Sequence, residues 1–229
     1  MLLRSCSEEN TSVVGCRCGV PANGGRQAAG GDASRAAEAS VRYDSRDMNR
    51  GATIEPWRPA LPASDTLDRE IDALARILHA VVHDGAGVSF ILPFSRDDAR
   101  AFWLDAVLPA VESGTRRVLL ASLGERIVGT VQLDLATPPN QRHRAEVMKL
   151  LVHPSARRQG IARALMIAVE SVARADARRL LTLDTWTGGA AERLYTSLGY
   201  VTVGTIPRFA RPSTTPGLEA TTIMYKELT

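Results

Sequence analysis

Cysteine is confined to the first 18 residues: Cys6, Cys16 and Cys18 are the only three, and none follows. The body of the chain therefore has no disulfide and no thiol nucleophile, which suits a reducing, cytoplasmic setting. Cys16-Arg17-Cys18 lacks the second pair or nearby histidine of a zinc site, so no metal is expected there. Lysine is nearly absent as well. Of the 28 basic residues only Lys149 and Lys226 are lysines, an arginine bias that a GC-rich genome explains. The net charge is only +3. That excess, with no helix-turn-helix pattern, argues against a nucleic-acid partner. No apolar run is long enough to span a membrane, and MLLRSCSEEN lacks the apolar core of a secretory signal.

What is present divides in two. Residues 1–50, with GCRCGVPANGGRQAAGGDASRAAEAS, are rich in Gly, Ala, Ser and Arg without sustained periodicity. They read as a disordered N-terminal extension, with the natural start expected at or near Met48. Residues 52–229 read as one domain, and the 45% hydrophobic content suffices for a buried core.

Within that domain ATIEPW is a short strand. DTLDREIDALARILHAVVHDG is a helix with Leu67, Ile71, Leu74, Leu78 and Val81 on one face, Asp65 as cap and Gly85 as stop. SRDDARAFWLDAVLPAVESG is a second helix, capped at Ser95, ended by Gly114 and kinked at Pro109. RRVLLASLG and ERIVGTVQLDLAT form a hairpin about Gly124-Glu125. AEVMKLLVHP is a strand and RQGIARALMIAVESVARADA a helix burying Ile161, Leu165, Ala168, Val169 and Val172. RRLLTLDTW, the short helix GGAAERLYTSLG, and the strands YVTVGTIP and ATTIMYKEL close the chain. The order β-α-α-β-β-β-α-β-α-β-β predicts an α/β fold with a mixed sheet. Residues 145–185 should form a parallel pair with a right-handed crossover.

VHPSARRQGIARAL carries the most specific signal. The strand ending at Val152 leads directly into a helix, whose first amides have no intrahelical partner and sit at its positive end. Gly160 lets the backbone approach a ligand, and Ala162 keeps that approach open. The arrangement suits a diphosphate. It lacks the Gly-Lys-Ser/Thr of a P-loop and the three-glycine dinucleotide fingerprint.

With Arg157-Arg158-Gln159-Gly160-Ile161-Ala162 as its core, the stretch resembles the acyl-CoA motif of the GNAT superfamily of acetyltransferases. AEVMKLLVHPSARRQGIARALM, LLTLDT, AERLYTSLGY, VGTIPRFA and VHDGAGVSF further resemble the tabtoxin resistance protein type, over residues 54–229. The resemblance implies acetyl-CoA as co-substrate. The amides from Arg158 to Arg163 would hold its pyrophosphate, and Leu150, Leu151 and Val152 would pair with pantetheine, one amide binding the acetyl carbonyl. It also implies that Glu146 and Asp184 flank the acceptor, as base through water and as amine-positioning group, and that Tyr195 stands beside the thioester sulfur. Many family members have asparagine seven residues before that tyrosine. Here Gly188 stands there, as in the tabtoxin-resistance type. His83, in the glycine-rich loop, and Trp186 are expected substrate contacts.

Each assignment has a plainer counterpart. The arginines could be solvated, the carboxylates surface ion pairs, Tyr195 and Trp186 core residues. His79 and His83, four apart on a helix, could bind metal only with a third ligand, which is not evident. The expected reaction is direct acetyl transfer to the primary amine of a small molecule in a ternary complex, including toxin or antibiotic detoxification. With no cysteine in the domain, a cysteine-linked ping-pong route is disfavoured. Acetylation of a protein or peptide amine, and a non-catalytic acyl-CoA sensor, are the alternatives. A homodimer through the C-terminal edge strands completes the expectations.

Overall fold

The computed structural model describes residues 51–60 and 64–229. The 1–50 extension, the Met48 start and the Cys16–Cys18 pair lie outside the described residues. Strand β1 (Ala52–Pro56) precedes helix α1 (Asp65–His83). Helical segments α2 (Arg96–Ala101) and α3 (Leu108–Glu112) follow, joined by a π-helical stretch, Phe102–Val107. Then come β2 (Arg116–Leu123), β3 (Arg126–Asp134), β4 (Arg144–Val152), α4 (Ile161–Ala175), β5 (Leu180–Trp186), α5 (Ala190–Ser197), β6 (Val201–Ala210) and β7 (Glu219–Glu227). With α2 to α3 taken as one helical unit, the order is the one expected from sequence.

The strands form one mixed sheet, β1-β2-β3-β4-β5-β7-β6. Only β4 and β5 run parallel, across the α4 crossover. Helix α4 covers one face through Ile161, Leu165, Met166 and Val169, packed on Val131, Leu133, Val147 and Leu181. Helix α1 covers the other with Ile71, Leu74, Leu78 and Val82, together with Trp103 and Val107. The apolar stripes legible in the sequence are therefore the two halves of the core.

Two local details differ from the sequence expectation. The α1 cap is Ser64, whose Oγ accepts from the Leu67 amide at 3.2 Å. Asp65 is instead the first helical residue, where its charge faces the positive helix end. At Pro109, which has no N–H to give Asp105, the helix widens into a π turn just ahead of the proline. The Leu108 amide reaches back five residues to the Trp103 carbonyl. This π turn places Trp103 and Val107 both inward and fully buried, with Trp103 edge-on to Trp57 at 6.3 Å. Trp103→Ala should cost about 3–5 kcal/mol of stability, measured by urea denaturation.

Candidate active site

The parallel strands part company early. β4 and β5 are paired only at Arg144–Leu180, Ala145–Leu181 and Glu146–Thr182, although β4 continues to Val152 and β5 to Trp186. Beyond those rungs the sheet opens into a cavity of about 800 Å³. A β-bulge in β4 lies beside the opening: Thr130 and Gln132 of β3 face Leu151 and Met148, so β4 carries one extra residue there. Lys149, within the bulge, has φ +52°. A bulge re-aims side chains and interrupts the ladder, and here it turns β4 toward the cavity, where Lys149, Leu150, Leu151 and Val152 all line the wall.

The start of α4 forms one end of the cavity. Gly160 is its N-cap at φ +78°, in the left-handed region that favours glycine. No side chain caps the helix, which leaves its first amides open to an incoming acceptor atom. Arg158, Gly160, Ile161 and Ala162 line the cavity. Two of the arginines are used otherwise. The Arg157 guanidinium pairs with Asp84 at the end of α1, which ties the loop down while the residue still borders the cavity. Arg163 donates to Ser197 Oγ of α5 at 2.7 Å, so its side chain braces two helices. Gln159 and Arg163 are not among the lining residues.

Asp184, Trp186 and Tyr195 line the same cavity. Asp184 is solvent-exposed, and its Oδ2 lies 3.0 Å from the Thr221 hydroxyl on β7. Tyr195 is 7% exposed, its ring 5.8 Å from that of Tyr200. Burial, and the Asp184 carboxylate, push its phenol well above the ordinary value, so it stays protonated. Glu146 is half-buried on the last paired rung of β4, just outside the lining. Burial raises its pKa first, and Asp184 and Asp134 raise it further against the pull of Arg144 and Lys149. Two carboxylates thus interact across the gap, the more buried one proton-avid.

The roof of the cavity comes from segments far apart in sequence. Ala86 to Ser89, after α1, lines the cavity together with Phe209 to Pro212, which spans the end of β6 and the start of the loop after it. Ser213 Oγ donates to the Val82 carbonyl at 2.9 Å and is buried, while the Leu92 amide donates to the Ser213 carbonyl at 3.2 Å. Gly87 packs so closely on Trp186 that a Cβ would stand 2.9 Å from its ring. Trp186 and the loop are therefore brought to the cavity together. His83 is not: it is exposed, stacked on His79 at 4.0 Å, its Nδ1 2.9 Å from the His79 carbonyl. Phe209, Ala210 and Lys149 fall within segments that carry the resemblance, but sequence reasoning gives none of them a role at the site, and it misses Arg211 and Pro212.

A family model described as the acetyltransferase (GNAT) family matches residues 82–200, more than half of the chain. The chain belongs to the GNAT acetyltransferase family. The match takes in the bulge, the α4 amides, Asp184 and Tyr195. A curated relative, an uncharacterized N-acetyltransferase in the hisH-hisA intergenic region of Azospirillum brasilense, is 35% identical over 105 residues. The match spans 45% of this chain and 60% of that protein's length. Among solved structures, the yncA protein of Salmonella typhimurium with its cofactor acetyl-CoA aligns with TM-score 0.60 and 18% identity, over 78% of this chain and 95% of that one. An N-acetyltransferase from Staphylococcus aureus aligns at 0.63 and 16%, over 78% and 99%. Ribosomal-protein-alanine N-acetyltransferase from Brucella melitensis aligns at 0.59 and 22%, over 76% and 99%. At these identities the likeness speaks to the fold, which is that of GNAT enzymes.

For a GNAT protein the open α4 amides fit a CoA diphosphate on their own chemistry: free N–H donors, a helix dipole, and glycine where backbone and ligand meet. Gly160→Ala tests the last feature. A methyl group at φ +78° costs roughly 1–2 kcal/mol, strain that falls on the backbone of the cradle. The KM for acetyl-CoA should rise about tenfold, a change worth about 1.4 kcal/mol, measured by steady-state kinetics.

Proposed function

We propose that the protein transfers the acetyl group of acetyl-CoA to the primary amine of a small molecule by direct attack in a ternary complex. The observation that carries this reading is the convergence on one cavity of an uncapped helix start at Gly160, the freed edge of β4 and the pair Asp184 and Tyr195. Diphosphate binds the amides of residues 158–163. Pantetheine lies along Leu150 to Val152, and an amide of that strand polarises the thioester carbonyl and stabilises the oxyanion. Asp184 positions the incoming amine. Glu146 takes its proton through a water, helped by a raised pKa that brings a carboxylate nearer the working range of a base. The lone pair then attacks the acetyl carbon, the C–S bond breaks, and Tyr195 gives its proton to the departing thiolate.

A small acceptor is favoured by the roof. The Ser213–Val82 and Leu92–Ser213 hydrogen bonds lace it across the place where a peptide would need an open groove. Within the family we group the chain with the tabtoxin-resistance type, on the segments named above and on Gly188. A detoxifying role and a cytoplasmic location belong to this reading. The homodimer would form on β6, which is exposed along its whole length and presents Val201, Val203 and Ile206. Sedimentation at two protein concentrations tests it.

Acetyl-CoA with a panel of amino acids, β-lactam dipeptides, aminoglycosides, polyamines and peptides tests the activity. Amine-dependent CoA release with a small acceptor is the expected result. Release with peptides alone would favour the protein-acetylating alternative, and binding without release to any amine would leave an acyl-CoA sensor.

A further inference from the structure

The chain has two lysines, and their surroundings differ. Lys226 Nζ contacts both Glu170 carboxylate oxygens at 2.7 Å and the Leu198 carbonyl at 2.7 Å, so its charge is spent within the fold. Lys149 makes one hydrogen bond, to Ser89 Oγ at 3.0 Å, and stands over the Phe90 ring at 5.9 Å. Among the described residues no carboxylate pairs with it at ion-pair distance. An ammonium held over an aromatic ring and bonded to a hydroxyl is a directed cation, not a freely solvated one.

The backbone is bent to put it there. Lys149 at φ +52° and Ser89 at φ +75° are both non-glycine residues in the left-handed region, and each carries one end of this contact. Such conformations persist where surrounding structure over-determines them, and they gather at ligand sites. Lys149 and Ser89 both line the cavity, as does Asp184. The lysine lies three residues before Val152, about 10 Å up the strand from the turn that leads to the diphosphate amides. It therefore faces the acceptor half. The ionisable groups around it are Asp184, Glu146 and Arg116. Arg211, exposed in the roof, also lines the cavity, as do Arg157 and Arg158 at the α4 end and Glu219 at the start of β7. The Asp184 carboxylate for an ammonium, with the Lys149 cation near it, complements a molecule bearing both charges.

We propose that Lys149 is a specificity determinant that binds an anionic group of the acceptor, so that the preferred amine also carries a carboxylate or a like acid. The assignment rests on the acetyltransferase reading. Lysine's ammonium, a compact point charge with rotatable donors, moves from Ser89 to the acid as the acceptor enters, while Asp184 holds the amine. A neutral acceptor leaves a half-buried cation without an anion.

The test uses the full chain with acetyl-CoA and matched acceptors: methionine, phenylalanine and histidine, each against its primary amide, with phenylethylamine and spermidine as neutral-end and cationic controls. CoA release is measured from neutral to mildly alkaline pH, where Lys149 is charged, and each rate is expressed per unprotonated fraction of the amine. Wild type should prefer acid over amide about tenfold in kcat/KM, mainly through KM. In Lys149→Met that ratio should fall toward one, and in Lys149→Arg it should largely return. A wild-type preference for amides or simple amines overturns the inference, as does an acid preference unchanged in Lys149→Met. CoA release from the simple amines alone also overturns it and spares the acetyltransferase reading. No release from any amine, with acetyl-CoA bound, overturns both.

Discussion

Glu146→Gln is expected to lower kcat by about 10²-fold or more while the KM for acetyl-CoA changes little. The side chain sits on the last rung that joins β4 to β5, away from the donor cradle at Gly160. The base form of this group is its carboxylate, and burial with Asp184 and Asp134 nearby raises its pKa. Wild-type kcat/KM should therefore rise with pH through a limb displaced upward from the ordinary glutamate value, and Glu146→Gln should lack that limb. Linkage supplies a separate control. A folded-state pKa above the unfolded value means a contribution to stability that is full below the unfolded pKa and lost as pH rises through the folded one. At neutral pH the ionised, half-buried carboxylate is thus a burden, and Glu146→Gln should melt no lower than wild type. A variant with full activity, or one that kept the acid limb, would contradict the base assignment.

Tyr195→Phe should slow turnover about 10²-fold, with the fold retained. The ring stays to pack on Tyr200, and only the hydroxyl at the cavity is removed. Because burial and Asp184 raise the phenol's pKa, it is protonated throughout the working range and can act only as donor. The pH limb assigned to Glu146 should therefore survive in this variant at reduced amplitude. Rapid-mixing measurement of the first turnover isolates the chemical step. A first turnover as fast as wild type's would remove Tyr195 from thiolate departure.

Much of the architecture was written in short-range patterns. Leu67, Ile71, Leu74, Leu78 and Val81 repeat at helical spacing because one face must leave water, and all five are buried. Gly124-Glu125 closes a two-residue turn because its glycine accepts φ +60°. The uncapped start of α4 was legible for the same reason: strand, glycine and amphipathic helix are contiguous in sequence. What stayed hidden depends on partners far away. The bulge at Lys149 arises from pairing β3 with β4, and EVMKLL contains no glycine or proline to announce it. The roof depends on Ser213 meeting Val82 across 131 positions. The i, i+4 spacing of His79 and His83 correctly put them on one helix face. It could not say that His83 folds back on its own helix instead of entering the cavity. The cap expected at Asp65 falls one residue earlier, on Ser64, because serine and aspartate cap helices about equally well and the chain's path decides between neighbours.

The central claim is that the donor lies in the gap between β4 and β5 with its diphosphate on the α4 amides. Backbone amide exchange, followed residue by residue with and without acetyl-CoA, tests it most directly. Protection on binding should appear at Leu151, Val152 and residues 158–163, with little change in β1 and β2. Tight binding of acetyl-CoA with no protection at residues 158–163 would contradict it.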